Sequence, residues 1–319
     1  MIDPASMRYV GVGIATALSS IGSGIGMGIA ISGTIDATIR QALSQDHITR
    51  IQIVGLIFIE TTAVLSLVFA FMMLFGKPFV GEWGPGLAEL GLGLSIGLAA
   101  FSVGIASSWV VRASGNAVAR QPFFAQKITT FMVVLQSLIE APLMFAFIVM
   151  LLIRGELSEH TTLAEGIKFF AAAMSIGLGA IGPSIGQGFL SSAGAEGIGK
   201  NRDAYGKIFS FAIISEAFIE TPVIFALVIS ITLIFQKIPV GFDPMSALIF
   251  LGAPIAISVG AAGSAISTSR VAATSCLQVA LNTDLYSSLM RLTLLSQVVI
   301  ETCGIFALVV ALMIISGMS

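Results

Sequence analysis

Eight apolar stretches, each long enough to cross a lipid bilayer, constrain the fold of this chain more than any other feature. Of its 319 residues, 56% are hydrophobic and 10% are charged, and the mean hydropathy is +1.01. Stretches of this length and composition are typical of transmembrane helices, so we expect an all-α integral membrane protein. The approximate ranges are 10–39, 51–75, 87–118, 128–153, 167–198, 208–235, 247–279 and 289–315.

The stretches form four pairs that repeat every 80 or 81 residues, which predicts four tandem helical hairpins. The hairpins occupy residues 1–79, 80–159, 160–239 and 240–319. The first helix of each pair is rich in Gly, Ala and Ser, and small residues let helices approach closely in a membrane. The second helix is rich in Phe, Leu, Ile and Met, which suits a surface facing lipid. We therefore expect an inner layer of first helices and an outer layer of second helices.

One glutamate lies in the middle of each second helix, with spacings of 80, 80 and 81 residues. A charged side chain at the bilayer centre costs several kcal/mol, so an intramembrane acid indicates a function. An apolar setting favours the protonated carboxyl, whereas contact with water allows it to ionise. Such a group is suited to binding and releasing an ion. These residues are Glu60, Glu140, Glu220 and Glu301.

The basic residues predict the orientation in the membrane. Ten of them lie in or beside the loops inside the pairs, whereas the links between pairs and the N-terminal segment hold Arg8, Lys77, Arg154, Lys168 and Lys237. The positive-inside rule places the four hairpin loops in the cytoplasm and both termini on the opposite side. A net charge of −2 gives no indication of a nucleic-acid partner.

A glycine-rich first helix, a basic loop and a second helix with a central glutamate resemble the rotor-ring c subunit (proteolipid) of F-type and V-type rotary ATPases. The loop sequence Arg120-Gln121-Pro122 is similar to that of the F-type branch. The run at residues 182–188 (GPSIGQG), followed by Glu220-Thr221, resembles the sodium-type version. The resemblance covers nearly the whole chain, four times over. The chain departs from most F-type proteolipids because it holds four hairpins, of which the second alone keeps Arg-Gln-Pro.

The resemblance implies a two-layer c-ring of identical chains in an energy-transducing membrane, such as the bacterial plasma membrane. The chain would have no catalytic chemistry and no cofactor of its own. Each glutamate would load an ion from one half-channel of the stator a subunit and release it into another, kept separate by a stator arginine. Central-stalk subunits would contact the loops through Arg40, Gln41, Arg120, Gln121, Pro122 and Arg202.

The transported ion is either H⁺ or Na⁺. By the resemblance, a sodium site in the third repeat would use Gln187, Glu220, Thr221 and the Phe218 carbonyl. Pro222 and Pro142 lack an N–H, so they leave the carbonyls of Phe218 and Leu138 without helical donors. The other repeats place Met27, Ser107 and Thr268 at the position of Gln187, and they follow the acid with Thr61, Ala141 and Thr302. Because a hard cation needs several oxygen ligands, these differences favour protons.

One turn before the four glutamates lie Leu56, Gln136, Glu216 and Gln297. Glu216 and Glu220 share a helix face, and two charges there would repel each other. We interpret Glu216 as a protonated hydrogen-bonding partner that replaces the glutamines; a second ion-site acid is the alternative.

Other classes of membrane protein also carry intramembrane acids. Secondary transporters combine internal repeats with acidic sites near the midplane, but their repeats are usually inverted and their sites converge at one interface. Here each repeat has an even number of spans and its own acid, which favours the rotor. A V-type proteolipid would also fit this pattern, as would a structural proteolipid ring without ATPase coupling.

Overall fold

A computed structural model of the chain describes residues 6–77, 79, 83–239 and 241–317. Eight segments within these residues are long and apolar enough to cross a membrane, which confirms the predicted spans. Two of the spans consist of two helices each. The α-helices are α1 (Ser6–Arg40), α2 (Gln45–Phe75), α3 (Trp83–Arg120), α4 (Ala125–Ile139), α5 (Ala141–Glu156), α6 (Leu163–Gly179), α7 (Ile181–Lys200), α8 (Tyr205–Phe235), α9 (Gly252–Leu281) and α10 (Tyr286–Ser316).

The two divided spans are each interrupted by a single residue that lies shortly before a proline. Glu140 separates α4 from α5, two residues before Pro142, and Ala180 separates α6 from α7, three residues before Pro183. Proline has no N–H, so it cannot donate to the carbonyl four residues earlier. Pro222 does not interrupt its helix: α8 continues through it without a break.

Each hairpin turns through a short 3₁₀ helix, at Ala42–Ser44, Pro122–Phe124, Arg202–Ala204 and Thr283–Leu285. In the last two loops the asparagine before the turn caps it. The side-chain oxygen of Asn201 accepts a hydrogen bond of 3.0 Å from the backbone N–H of Asp203. The side-chain oxygen of Asn282 accepts one of 3.1 Å from the backbone N–H of Asp284. The first two loops have glutamine at this position and no such cap.

The hairpins stand side by side in chain order. The inner helices α1, α3, α6–α7 and α9 pack against one another successively, and the outer helices α2, α4–α5 and α8 each contact the inner helices of their own hairpin and of the next. The first and last hairpins each have one neighbour within the chain, so α1 and α10 keep large exposed faces. The chain therefore contains an inner and an outer layer. Its closure into a ring remains a prediction.

Glycine allows the inner helices to approach closely. A Cβ atom added to Gly182 of α7 would lie 2.6 Å from the Ala262 Cα atom of α9. A Cβ atom on Gly104 of α3 would lie 3.0 Å from the Gly22 carbonyl carbon of α1. These distances are shorter than ordinary carbon contacts, so a larger residue would push the helices apart.

Buried ionic contacts join the helix ends opposite the hairpin loops. An Arg154 guanidinium nitrogen lies 2.6 Å from a carboxylate oxygen of Glu89, and the Arg8 Nε lies 4.0 Å from the same oxygen. Glu89 is 2% exposed. In the third hairpin, the buried Lys168 ammonium donates to the carbonyls of Ile234 and Gln236 at the end of α8. These contacts were not predicted from the sequence, which indicated only that the basic residues lie in or near the links between hairpins.

Candidate functional site

The four glutamates lie at the same depth in the outer layer. Each is the sixteenth residue of its span, counted from the first residue of α2, α4, α8 or α10. At about 1.5 Å per residue, this position is roughly 22 Å from the hairpin-loop end of the helix. A helix of about 31 residues is longer than the hydrocarbon core, so its middle falls near the bilayer centre.

The glutamate side chains are accessible from outside the bundle to different degrees. Glu60 is exposed, whereas Glu140, Glu220 and Glu301 are half-buried. The Glu140 Oε1 atom is buried and has no hydrogen-bond partner among the described residues. A buried carboxylate oxygen without a partner is costly, and a bound proton or cation would remove that cost.

The structure connects Gln187 to the second hairpin. Its Nε2 atom donates a hydrogen bond of 3.3 Å to the carbonyl of Leu138, the residue two positions before Glu140. This is the carbonyl that Pro142 leaves without a helical donor. The Gln187 Oε1 atom is also buried and has no described partner. A candidate ion-site side chain of hairpin 3 therefore reaches the acid-bearing segment of hairpin 2.

The other predicted sodium ligands of the third repeat are not joined to Gln187 by a described hydrogen bond. The described side chains include no donor to the Phe218 carbonyl. The hydroxyls that follow the acids donate to their own helices, from Thr61 to Ile57, from Thr221 to Ala217 and from Thr302 to Val299, at 2.7–3.0 Å. A hydroxyl that donates in this way still has lone pairs with which it can accept a hydrogen bond or bind a cation.

Three of the four residues one turn before the acids are polar and buried. Gln136 and Gln297 are fully buried, Glu216 is 1% exposed, and Leu56 is half-buried. Gln136 donates to the Gly55 carbonyl of hairpin 1 at 3.2 Å. Neither amide atom of Gln297 has a partner among the described residues.

Glu216 occupies the same buried position as the two glutamines. Its Oε1 atom accepts a hydrogen bond of 3.1 Å from the Ser191 hydroxyl of α7, and its Oε2 atom has no described partner. Burial of this kind disfavours a charge on the side chain. The contact with Ser191 links α8 to α7 within the hairpin.

The predicted stalk-contacting residues lie at the hairpin tips. Arg40, Arg120 and Arg202 are exposed, and Gln41, Gln121 and Pro122 are half-buried. Two exposed apolar side chains in the first two loops were not predicted from the sequence: Leu43 is 97% exposed and Phe123 is 101% exposed. The equivalent positions of the last two loops are Asp203 and Asp284, and comparison of the four loops could have revealed this difference.

A known protein family matches each of the four hairpins separately. The model of the family described as the C subunit of ATP synthase matches residues 10–73, 90–153, 170–233 and 251–314, and each match includes one of the four glutamates. An ATP synthase c subunit of Dehalococcoides mccartyi is 53% identical over 72 residues, which are 23% of this chain and 95% of the relative. The ATP synthase c subunit of Gloeobacter violaceus is 49% identical over 67 residues, 21% of this chain and 82% of the relative.

Proposed function

The chain belongs to the ATP synthase C-subunit family, and we propose that Glu60, Glu140, Glu220 and Glu301 make it the ion-carrying part of the synthase rotor. The observation that carries this proposal is the equal depth of the four acids in the outer layer. As the hairpins move past a fixed stator, every acid would pass the same point. The chain itself performs no covalent chemistry; it supplies carboxyl groups that bind and release the ion.

Partial exposure of the glutamates suits this exchange. A protonated or cation-bound carboxyl can face lipid at modest cost, whereas the free carboxylate requires water or a positive charge. The stator a subunit would supply both, through two half-channels and an arginine that attracts the free carboxylate. One elementary charge that crosses the membrane contributes about 2.3 kcal/mol per 100 mV, so several ions must pass for each ATP made.

We infer that the transported ion is H⁺, with Na⁺ as the alternative. Gln187 is the one glutamine at its position in the four repeats, and its hydrogen bond leads to Leu138 in hairpin 2. In that hairpin the residue after the acid is Ala141, which has no hydroxyl. The site between Gln187 and Glu140 therefore has the amide of a sodium-type ligand set but lacks its hydroxyl. A proton needs only the carboxylate and one acceptor.

The open faces of the first and last hairpins support assembly with further hairpins. Gly188 contacts α3 of the preceding hairpin. At its equivalent in the first repeat, Gly28, an added Cβ atom would have no atom of another helix within 4 Å. Gly182 contacts Ala262 of the following hairpin, whereas its equivalent in the fourth repeat, Gly263, is open in the same way. The first and last hairpins therefore expose two surfaces that are complementary, because equivalent surfaces pack together between neighbouring hairpins within the chain. If identical four-hairpin chains joined here close the ring, its number of hairpins would be a multiple of four.

The remaining partners and the location follow from this assignment. The basic hairpin loops would face the cytoplasm of a bacterial plasma membrane and contact the central stalk. The apolar tips Leu43 and Phe123 differ chemically from the acidic tips Asp203 and Asp284. The first two loops would therefore make the apolar part of that contact. The termini, which lie outside the described residues, would be on the opposite side.

Site-resolved labelling with a hydrophobic carbodiimide tests this function. The reagent reacts with protonated carboxyls in apolar surroundings, so mass spectrometry should find it on all four glutamates. Glu196 is an internal control that should remain unlabelled, because its carboxylate is paired with Lys200 at 2.8 Å. Failure of any one of the four to react would contradict the proposal for that hairpin. Protection by Na⁺ at the pH of the assay would replace H⁺ with Na⁺ as the transported ion.

A further inference from the structure

A cavity of about 410 Å³ lies at the hairpin-loop end of the inner layer, between hairpins 1, 2 and 3. Its volume is within the range of small-molecule sites, about 300–1,000 Å³. None of the glutamates that carry the ion lines it. The cavity is lined by the side chains of Arg40, Trp109, Arg112, Asn116, Arg120 and Glu196, among others.

The cavity opens on the face of α3 that is turned away from the outer helices. Trp109, Arg112, Asn116 and Arg120 are three or four residues apart, so they share one face of the helix. The opposite face meets the outer layer, since the Ser107 carbonyl accepts a hydrogen bond from Gln136 and Val111 packs against Gly55. A ligand could therefore enter without displacing an outer helix.

The charge of the cavity suits an anion. Arg40, Arg112 and Arg120 have no carboxylate within 4.0 Å among the described residues. The acidic residue of the lining, Glu196, is already paired with Lys200. Guanidinium groups bind phosphate in a bidentate manner, with stronger hydrogen bonds than neutral donors make. Three arginines on one cavity are the chemistry expected for a phosphate group.

Trp109 gives the cavity one aromatic wall. The rings of Trp109 and Phe189 stack with centroids 5.0 Å apart and an angle of 6° between their planes. One turn closer to the membrane centre lie Ile105 and Ile185, both half-buried. Tryptophan is enriched where the hydrocarbon core meets the headgroups. The surface therefore changes from apolar to aromatic to basic in the order in which a phospholipid presents its acyl chains, glycerol and phosphate.

We propose that this cavity binds the phosphate of an anionic phospholipid on the inner face of α1, α3 and α7. Basic pockets between membrane helices are suited to such headgroups. Arg112 is the central residue, because its stem lies across Gly33 of α1 and its side chain lines the cavity. The other repeats place Ser32, Ser192 and Ala273 at this position, so each chain has one such site. The cavity lies at the hairpin-loop end of the helices, and only the placement of that end on the cytoplasmic side of the membrane rests on the proposed function.

Native mass spectrometry of the intact protein in mild detergent tests the site, with phosphatidylglycerol and phosphatidylcholine as probes. Retention of phosphatidylglycerol over phosphatidylcholine should fall about tenfold in Arg112→Gln, because a charge-assisted contact is lost. Arg291→Gln, which removes an exposed arginine from α10, is the matched control and should bind like the original protein. Equal retention of the two lipids, or an equal loss in both variants, would overturn the proposal.

Two further measurements make the result specific. Inorganic phosphate at millimolar concentration should not displace the lipid, because it lacks acyl chains that would lie along Ile105 and Ile185; full displacement would show a free-anion site and refute the lipid assignment. Carbodiimide labelling of the four glutamates should be unchanged in Arg112→Gln. In the original protein, absence of labelling together with preferential retention of phosphatidylglycerol would count against the rotor proposal alone, so failures of the two proposals are distinguishable.

Discussion

The close approach of the inner helices predicts a large effect for one methyl group at Gly182. In Gly182→Ala, the new Cβ atom would lie 2.6 Å from the Ala262 Cα atom and 2.8 Å from its Cβ atom. Carbon atoms in contact usually remain about 3.5–4.0 Å apart, so α7 and α9 must separate by about 1 Å. The obstacle is backbone, which cannot change rotamer to make room.

The expected cost combines two opposing effects. Overpacking of this kind destabilises by about 1–3 kcal/mol. Replacing glycine with alanine inside a helix recovers up to about 1 kcal/mol. Since the contact involves a Cα atom, we expect the upper part of the first range and a net loss of about 1–2 kcal/mol. Gly182→Val should lose more, because it adds two further methyl groups.

The assay is unfolding of the purified protein in detergent with increasing SDS, followed by far-UV circular dichroism. The matched control is Gly206→Ala in α8, where nothing lies within 4 Å of a built Cβ atom. The control should be unchanged or more stable by up to about 1 kcal/mol. If Gly182→Ala unfolds at the same SDS concentration as the original protein, the inner helices are not packed as closely as described.

Three further substitutions test contacts between and within hairpins. Gln187→Ala should alter the rate of carbodiimide labelling at Glu140 and leave Glu60 unchanged, since Gln187 contacts hairpin 2; equal changes at both would refute this. Glu89→Gln should destabilise the protein in SDS titrations by about 3–5 kcal/mol, because the buried Arg8 and the half-buried Arg154 lose the Glu89 carboxylate; an unchanged midpoint would contradict this ionic contact. Lys168→Met should cost about 1–3 kcal/mol in the same titration, because carbonyls at the end of α8 lose a charged donor; no loss would mean that water replaces the ammonium there.

Much of the fold was predictable because hydropathy and repetition determine it locally. A stretch of about 20 apolar residues forms a membrane helix whatever its neighbours are. The four equivalent glutamates were visible for the same reason, since a fixed spacing places them at one depth. Prolines were informative too: the missing N–H of Pro142 predicted a free carbonyl at Leu138, and the structure shows that this carbonyl accepts a hydrogen bond from Gln187.

The contacts between hairpins could not be predicted in the same way. Gln187 was expected among the ligands of its own repeat, but its hydrogen bond reaches hairpin 2. Spacing along the chain gives no information on the rotation of one helix against another, so this contact was not predictable. The pairing of Glu89 with Arg154 depends on the same register, as does the cavity around Arg112. These features depend on side-chain packing between helices that are far apart in sequence.

The central claim is that every hairpin carries an ion, and ion transport by four single variants tests it most directly. Glu60→Gln, Glu140→Gln, Glu220→Gln and Glu301→Gln would each be assembled into the complete synthase in proteoliposomes. Glutamine keeps the size of the side chain but cannot ionise. In the proposed rotor every hairpin would pass the stator in turn, so each variant alone should reduce ATP-driven ion transport to background. Transport at the original rate in any one of them would show that its hairpin does not carry the ion.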